Sequence, residues 1–564
     1  MKARRFLAVV LALSLLLLGL GAGAWWLLWQ RSPLQLQHRA LVVPRAARFV
    51  PRDAALSLHL LVDGQQPLDY ARAVAPVRQR RQASEALARL RDGAFAAAGL
   101  DYSNDLAGWL GPETGLWLLQ GAQPGESGWV LALSSRDGDG ARRFLQRFWQ
   151  TRSLAGSGLQ ISSYRGMGLI SGRGALLGQE PAPLATALID DDLVLLASGR
   201  GVLEQALDVS QIDELNQAAD PRFRQALQRF EQGTLLLSAR PRDLGGVWSD
   251  LAGLNSSALL AALRPQGRSL VLDAWLEPPL AAAAVSADAL ELAGGAAADA
   301  PAGPSDAPRP AVQPSPPAAS EPLLEALRGS ASGLALLQDP AHWPAGWPDL
   351  LQPWLAAQDD GEPPALVPEL LRAATAGPLL WSRSDDGWLI ATAADQPPLE
   401  QLEPAFAAAA LVAAPLDLEG EPVQVWTSFQ ASARGRSAAR RGEQLQVNLA
   451  AARSLQDGYA WWSDALPALL EQRRGHDRPR ALLARLQATD LPPADPLPGG
   501  QPPVSLRWAL ERQPAQLLLQ RSSAWQLLSA LAGEPLAAPV QGLALAAQPE
   551  AAGLRLQARL DLGS

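Results

Sequence analysis

The chain has 564 residues, of which 48% are apolar and 18% charged, and its net charge is −8. This composition is globular and the length exceeds what one hydrophobic core serves, so we expect two or more domains. Cysteine is absent, which excludes disulfides, thiolate metal sites and cysteine nucleophiles.

Residues 6–29 form an uninterrupted apolar run without a charge. A bilayer core of about 30 Å needs about 20 helical residues, so this run predicts a transmembrane anchor. The tryptophans that end it, the last being Trp29, are typical of a membrane interface. A cleaved signal peptide is the alternative, because Ala22-Gly23-Ala24 is a small-x-small site.

The charge distribution suggests how the chain is oriented. Basic residues in the segment 1–5 favour a cytoplasmic N-terminus and a body in the periplasm or thylakoid lumen, since long domains translocate largely regardless of charge. Residues 1–92 hold 14 Lys or Arg and 5 Asp or Glu, a net charge of +9, which leaves −17 for the rest. Arg78, Arg80 and Arg81 either contact anionic lipid or are solvated on a helix. The acidic body argues against nucleic acid as a partner.

The juxtamembrane segment covers residues 30–52, and residues 32–55 are predicted to be irregular, because their prolines break helices. After it, residues 53–278 predict a first α+β repeat. The alternation at 56–60 indicates a strand with His59 on its solvated face. Helices are predicted from Pro67 and at 81–98, 141–149, 201–208 and 221–232, and strands at 115–119, 129–133, 159–164, 168–171, 235–240 and 270–277.

The Asp190-Asp191-Asp192 triplet sits between two apolar runs. Acidic residues in this position are typical of a hairpin turn, and a cation site with added ligands is the alternative.

Residues 279–321 are predicted to be a disordered linker. Between Ala293 and Ser320 the chain consists mostly of Ala, Pro and Gly, a composition that cannot bury enough apolar surface to offset the cost of ordering.

Residues 322–564 predict a second α+β repeat, because features of the first half recur in the same order. Gly128-Trp129 recurs as Gly387-Trp388, the Asp-rich turn recurs at Asp457, the 235–240 strand recurs at 517–521, and the 270–277 strand recurs at 554–561. In the last strand the leucines alternate with polar residues, one set facing a core and the other water. The predicted fold class is therefore α+β: an N-terminal transmembrane helix followed by two related halves, each a mostly antiparallel sheet with helices packed on one face.

Two stretches resemble a known family. They are residues 44–58, PRAARFVPRDAALSL, and residues 98–113, which contain Trp109-Leu110-Gly111-Pro112-Glu113. The chain is similar here to an uncharacterised cyanobacterial family, domain of unknown function thirty-three fifty-two. The resemblance implies a membrane-anchored bacterial protein, and it carries no activity, cofactor or site residues with it.

The sequence indicates no catalytic, cofactor-binding or metal-binding residues. None of the four histidines has a His or carboxylate partner at ligand spacing, and nucleotide and hydrolase motifs are missing. The favoured function is therefore a non-enzymatic binding or scaffolding role on the extracytoplasmic side. Its partners would be membrane lipid, through residues 6–29, and an unknown protein. The alternatives are a carrier of a lipid, pigment or other apolar ligand in a cleft between the two halves, and an enzyme with a motif-free site.

Overall fold

A computed structural model describes residues 32–120, 127–153, 158–174, 182–244, 256–277, 320–342, 366–434, 442–489, 491, 505–550 and 553–563. The predicted cytoplasmic segment 1–5, the anchor 6–29 and the linker up to residue 319 lie outside these ranges. Within the ranges, no helix combines the length and the apolar character needed to cross a bilayer.

Twenty strands of the described chain belong to a large antiparallel sheet. They are β1 (Leu56–Leu60), β2 (Leu110–Gln120), β3 (Ser127–Ser135), β4 (Gln160–Tyr164), β5 (Met167–Gly174), β6 (Ala182–Ile189), β7 (Leu193–Ala197), β8 (Leu235–Ala239), β9 (Ala258–Gln266), β10 (Ser269–Glu277), β11 (Gly333–Gln338), β12 (Leu379–Ser384), β13 (Gly387–Ala393), β14 (Val412–Leu418), β15 (Glu421–Arg434), β16 (Gly442–Gln456), β17 (Tyr459–Ser463), β18 (Ser505–Glu511), β19 (Val540–Glu550) and β20 (Gly553–Leu562).

The α-helices of the described chain lie between these strands in sequence. They are α1 (Gln66–Val74), α2 (Arg80–Ala97), α3 (Gly138–Ser153), α4 (Arg200–Val209), α5 (Pro221–Phe230), α6 (Ser320–Ala326), α7 (Leu366–Ala374), α8 (Leu399–Ala408), α9 (Leu466–Arg474), α10 (Arg480–Ala488), α11 (Arg512–Arg521) and α12 (Ser523–Ala532). The predicted helix at 81–98 is confirmed as α2. Just beyond it, Gly99 has φ +69°, a left-handed conformation that glycine adopts without steric cost when it ends a helix.

The chain forms two compact units, the first being Met1–Ala239, Leu260–Leu270 and Leu528–Pro535. The strand order of the first unit is β8-β1-β2-β3-β7-β6-β5-β4, and every neighbouring pair is antiparallel. Within this order, Leu58 pairs with Leu116 on one side and Leu237 on the other.

Helices cover both faces of the sheet in this unit. On β3, Val130 and Ala132 pack in one buried cluster with α4, whereas Leu131 and Leu133 pack in another with α3. Successive side chains of a strand point to opposite faces, so a strand buried on both sides is a continuous apolar run. The prediction that helices pack on only one face of the sheet is therefore wrong. The unbroken apolar segment at 129–133 is the sequence feature that indicates burial on both faces.

The second unit is Arg240–Leu259, Val271–Leu527 and Leu536–Ser564. Its strand order includes β20-β19-β18-β11-β12-β13-β17-β16-β15-β14. Two adjacent tryptophans show that both faces are covered here as well. Trp461 packs in a buried cluster with α9 and α10, while Trp462 stacks on Trp426 with 5.1 Å between ring centroids. Phe406 of α8 packs against Trp426 on that second face.

The strand order β8-β1-β2-β3-β7-β6-β5-β4 recurs in the second unit with every number raised by ten. Trp129 and Trp388 lie on the equivalent strands β3 and β13, and Asp192 and Asp457 both lie in turns before the equivalent strands β7 and β17. One predicted recurrence is wrong: residues 517–521 lie in α11, and the strand equivalent to β8 is β18. Leucine-rich segments look alike in helices and strands, which explains this error.

The predicted fold class needs correction. A large antiparallel sheet of twenty strands, with helices on both of its faces, replaces the predicted pair of sheets each covered on one face. The transmembrane helix of that prediction is not among the helices of the described chain.

The segment 32–55 is irregular only in part. It contains two 3-10 helices, Pro33–His38 and Arg45–Phe49. Proline is tolerated at the start of a helix because the N–H that it lacks would have no helical partner there. Pro33 begins the first of these helices, and Ser32 Oγ accepts the N–H of Leu34 at 3.3 Å.

Candidate functional site

The two stretches that carry the family resemblance meet in the first unit. The Glu113 carboxylate accepts the backbone N–H groups of Arg45 at 3.0 Å and Ala46 at 2.8 Å, at the start of the 3-10 helix Arg45–Phe49. Ser134 Oγ accepts the Glu113 N–H at 2.8 Å and donates to the Glu113 carbonyl at 2.9 Å. A carboxylate at a helix start stabilises N–H groups that have no partner within the helix.

Burial sets the electrostatics of this contact. Desolvation raises the pKa of Glu113 above its usual value, although the two backbone hydrogen bonds and the charge of Arg45 oppose the shift. Asp192 forms an ion pair with Arg45 and raises the pKa of that guanidinium. We call the group formed by Arg45–Phe49, Glu113 and Asp192 the clasp.

Two further arginines, Arg48 and Arg52, hold the N-terminal segment to the first unit. Arg48 Nε donates to the Ser210 carbonyl at 3.0 Å, and Arg52 Nε donates to the Asn216 carbonyl at 3.2 Å. These two guanidinium groups are therefore hydrogen-bonded within the fold.

His59 lies in a closed polar cluster of the same unit. Its side chain is 0% exposed, so its predicted place on a solvated strand face is wrong. His59 Nε2 lies 3.2 Å from Gln217 Oε1, and Gln217 Nε2 donates to Ser57 Oγ at 3.0 Å. Burial lowers the pKa of His59 to about 4, so the imidazole is neutral at physiological pH.

The packing leaves little space beside the Nδ1 atom of this histidine. A Cβ added to Gly115 would lie 3.3 Å from His59 Nδ1 and 3.2 Å from the Ala46 Cβ, which belongs to the clasp. A catalytic base must come within hydrogen-bond reach of its substrate. The cluster of His59, Ser57 and Gln217 therefore supports a structural role.

The Asp190-Asp191-Asp192 triplet forms the turn between β6 and β7, which confirms the predicted hairpin. Asp190 and Asp191 have φ values of +48° and +60°, which Asp tolerates in turns. Asp191 forms an ion pair with Arg142, and Asp192 forms one with Arg45. The described residues hold no group of three or more His, Asp or Glu arranged to bind a metal.

An exposed apolar surface lies at the outer strands of the second unit. Leu416 pairs with the buried Val423, and Phe429 pairs with Val447. Cross-strand partners share a face of the sheet, so the core face of β15 continues outward into solvent. The side chains of Val412, Phe429 and Val447 are 50%, 51% and 57% exposed. We call Val412, Leu416, Phe429 and Val447 the apolar strip.

A groove of about 490 Å³ lies in the first unit, between the N-terminal segment and α5. Its lining combines aliphatic side chains with charged and amide groups: Leu41, Val43, Leu227, Arg224, Gln228 and Glu231. Val43 is 43% exposed, so the groove is open to solvent.

Sequence reasoning found neither the clasp nor the apolar strip. Glu113 and Asp192 belong to distant segments, and only the strand order brings both to Arg45. The spacing of Val412 and Leu416 is equally typical of a strand that lies over a core, so periodicity did not reveal their exposure.

Comparison with known proteins gives one family match. A family model described as a protein of unknown function, DUF3352, matches residues 9–283. No curated protein matches the chain. Among solved structures, crystal form III of TP0453 is similar, with 12% identity, coverage of 43% of this chain and 81% of that chain, and a TM-score of 0.26. Crystal form I of TP0453 is similar with 12% identity, coverage of 42% and 80%, and a TM-score of 0.25.

Proposed function

We propose that this chain is a non-enzymatic binding or scaffolding protein, held at a membrane through residues 6–29 with its body on the extracytoplasmic side. In this proposal the apolar strip binds another protein. The observation that carries it is the pair Phe429 and Val447, which are cross-strand partners on the continuation of a core face and are both half exposed. Contiguous exposed apolar side chains are typical of protein interaction sites.

Three titratable side chains of the first unit favour a binding role over an enzymatic one. His59 is fully buried, and Asp191 and Asp192 are occupied by ion pairs with arginine. General acid–base catalysis needs a titratable group that a substrate can reach.

The test is capture of partners from native membranes with the full chain. The double variant Phe429→Ser, Val447→Ser removes the centre of the strip. Leu455→Ser is the matched control, since Leu455 is 59% exposed elsewhere on β16. We expect the natural chain and the control to retain the same proteins and the double variant to lose them. Recovery of the chain alone, or equal recovery by the double variant, would contradict the proposal.

The membrane location has its own test. The full chain should remain with the membrane fraction after an alkaline wash, and a protease added from the cytosolic side should leave residues 53–562 intact. Mature polypeptide that begins at Trp25 and is free in an aqueous fraction would contradict this location.

The groove beside α5 favours a second candidate function, the binding of a small apolar ligand. Its volume of about 490 Å³ falls in the range of small-molecule sites, and Leu41 and Leu227 supply apolar walls. Organic extraction of the purified chain should then release a stoichiometric small molecule, and Val43→Asp should abolish its recovery. An empty extract would remove this candidate.

A further inference from the structure

The turn between α1 and α2 presents an apolar side chain surrounded by arginines. Residues 75–82 of this turn read APVRQRRQ. Val77 is 77% exposed, and the Arg81 side chain is 90% exposed. We call Val77, Arg78, Arg80 and Arg81 the basic tip.

The segment 70–84, which includes the basic tip, carries only positive charges. Residues 70–84 contain four arginines and no acidic residue, and all four arginines are exposed. Local contacts order the turn: Arg80 Nε donates to the Ala75 carbonyl at 3.4 Å, and Arg81 forms an ion pair with Glu85 at 3.3 Å on α2. An exposed ion pair of this kind contributes little to stability, so Arg81 is able to exchange partners.

The fold places the basic tip close to the N-terminal end of the described chain. Leu36, in the 3-10 helix Pro33–His38, packs in one cluster with Tyr70 and Val74 of α1. Val77 follows Val74 by three positions. The described chain therefore begins beside the helix that leads into the basic tip, and the apolar run 6–29 ends four positions before Pro33 in the sequence.

We propose that the basic tip docks on the surface of an anionic phospholipid bilayer, with Val77 entering the interface and Arg78, Arg80 and Arg81 contacting lipid phosphates. Guanidinium groups match phosphate oxygens in charge and geometry. Each basic residue near an anionic leaflet strengthens binding about fivefold, which corresponds to about 1 kcal/mol. The inference rests on the proposed membrane location. It adds a second lipid contact, which fixes the orientation of the first unit at the surface.

The test uses a fluorescent probe at the tip of the full chain. The sequence has no cysteine, so Val77→Cys provides a single labelling site for an environment-sensitive dye. Ile161→Cys is the matched control, because Ile161 is also apolar and is 82% exposed on β4 of the same unit. Each labelled chain is reconstituted into phosphatidylcholine vesicles with and without phosphatidylglycerol.

We expect the dye at residue 77 to shift to the blue only in vesicles that contain phosphatidylglycerol, and to lose the shift at high salt, since screening weakens surface electrostatics. The dye at residue 161 should not respond. The further change Arg78→Gln, Arg81→Gln should lower the ratio of docked to undocked tip about 25-fold, since each arginine contributes about fivefold. Arg80 is kept because it orders the turn.

Two outcomes would overturn the inference, and they differ from failure of the proposed function. If the chain floats with both kinds of vesicle but the residue-77 dye stays in water, the docking is wrong and the membrane location stands. If the dye shifts only with an acidic protein from a membrane extract, the surface binds protein rather than lipid. Failure of the chain to float with any vesicle would remove the membrane location together with this inference.

Discussion

Gln557 Nε2 donates a 2.7 Å hydrogen bond to Asp273 Oδ1, and both side chains are buried, with 9% and 7% exposed. The two residues lie 284 positions apart, the same separation as the recurring Leu270 and Leu554. They belong to β20 and β10, which are paired strands of the sheet. The prediction that the polar residues of the last strand face water is therefore wrong at Gln557.

We expect Gln557→Leu to destabilise the chain by about 1–3 kcal/mol, because it leaves the buried Asp273 without this donor. The double variant with Asp273→Leu should cost less than the sum of the single variants, since it removes both polar groups. Urea unfolding of the four chains measures this coupling. If the effects of the two single variants simply add in the double variant, the hydrogen bond between Gln557 and Asp273 does not stabilise the pairing of β20 with β10.

The clasp predicts a stability change at Glu113. Glu113→Ala removes the acceptor for two backbone N–H groups and should cost about 1–2 kcal/mol, in the range of lost helix caps. Glu113→Gln retains an acceptor oxygen and should cost less. Urea unfolding at neutral pH ranks the two variants, and equal stability of Glu113→Ala and the natural chain would contradict the role of the clasp.

Glu113 also predicts a pH dependence. Its pKa is raised in the folded chain by burial, so the folded state holds this proton more tightly than the unfolded state does. Its contribution to stability is therefore fully present below the unfolded pKa and is lost as the pH rises through the folded pKa. As the pH rises from the unfolded to the folded pKa of Glu113, the free energy of unfolding of the natural chain should fall relative to that of Glu113→Gln. Parallel pH profiles of the two chains in urea unfolding would show that the carboxyl is not desolvated.

The buried His59 predicts that the free energy of unfolding changes with pH in the opposite direction. Its pKa falls from 6.5 to about 4 on folding, so the unfolded state binds the proton more tightly. Its contribution is fully present above the unfolded pKa and is lost as the pH falls towards 4, by about 3 kcal/mol in total. His59→Gln should flatten the pH profile of urea unfolding between these values. An NMR titration that places the His59 pKa near 6.5 would contradict its burial.

Gly93 lies inside α2, where alanine would ordinarily stabilise a helix by up to about 1 kcal/mol. A Cβ at Gly93 would lie only 1.8 Å from the Leu531 carbonyl oxygen, a backbone atom that cannot yield without moving its helix. We therefore expect Gly93→Ala to destabilise the chain by about 1–3 kcal/mol. Gly201→Ala in α4 is the control, because a Cβ there meets nothing within 4 Å. Thermal unfolding should show opposite signs for the two variants.

Local patterns in the sequence predicted the five helices α1 to α5 and most strands of the first half, because propensity and periodicity act over a few residues. They predicted α2 with its glycine stop, the Asp-rich hairpin, and the equivalent positions of Trp129 and Trp388. They did not decide which faces of a strand are buried, since that depends on partners distant in sequence. The error at residues 517–521 arose because a short leucine-rich run fits either a helix or a strand.

The tertiary structure alone decided the polar contacts and the exposed surfaces. Strand order places Asp192 and Glu113 around Arg45 and buries His59 against Gln217. It also leaves the apolar strip in solvent and brings Val77 to the tip of a basic turn. Each of these outcomes depends on contacts between segments far apart in the chain, and the free energy of such contacts is not encoded in any single stretch of sequence.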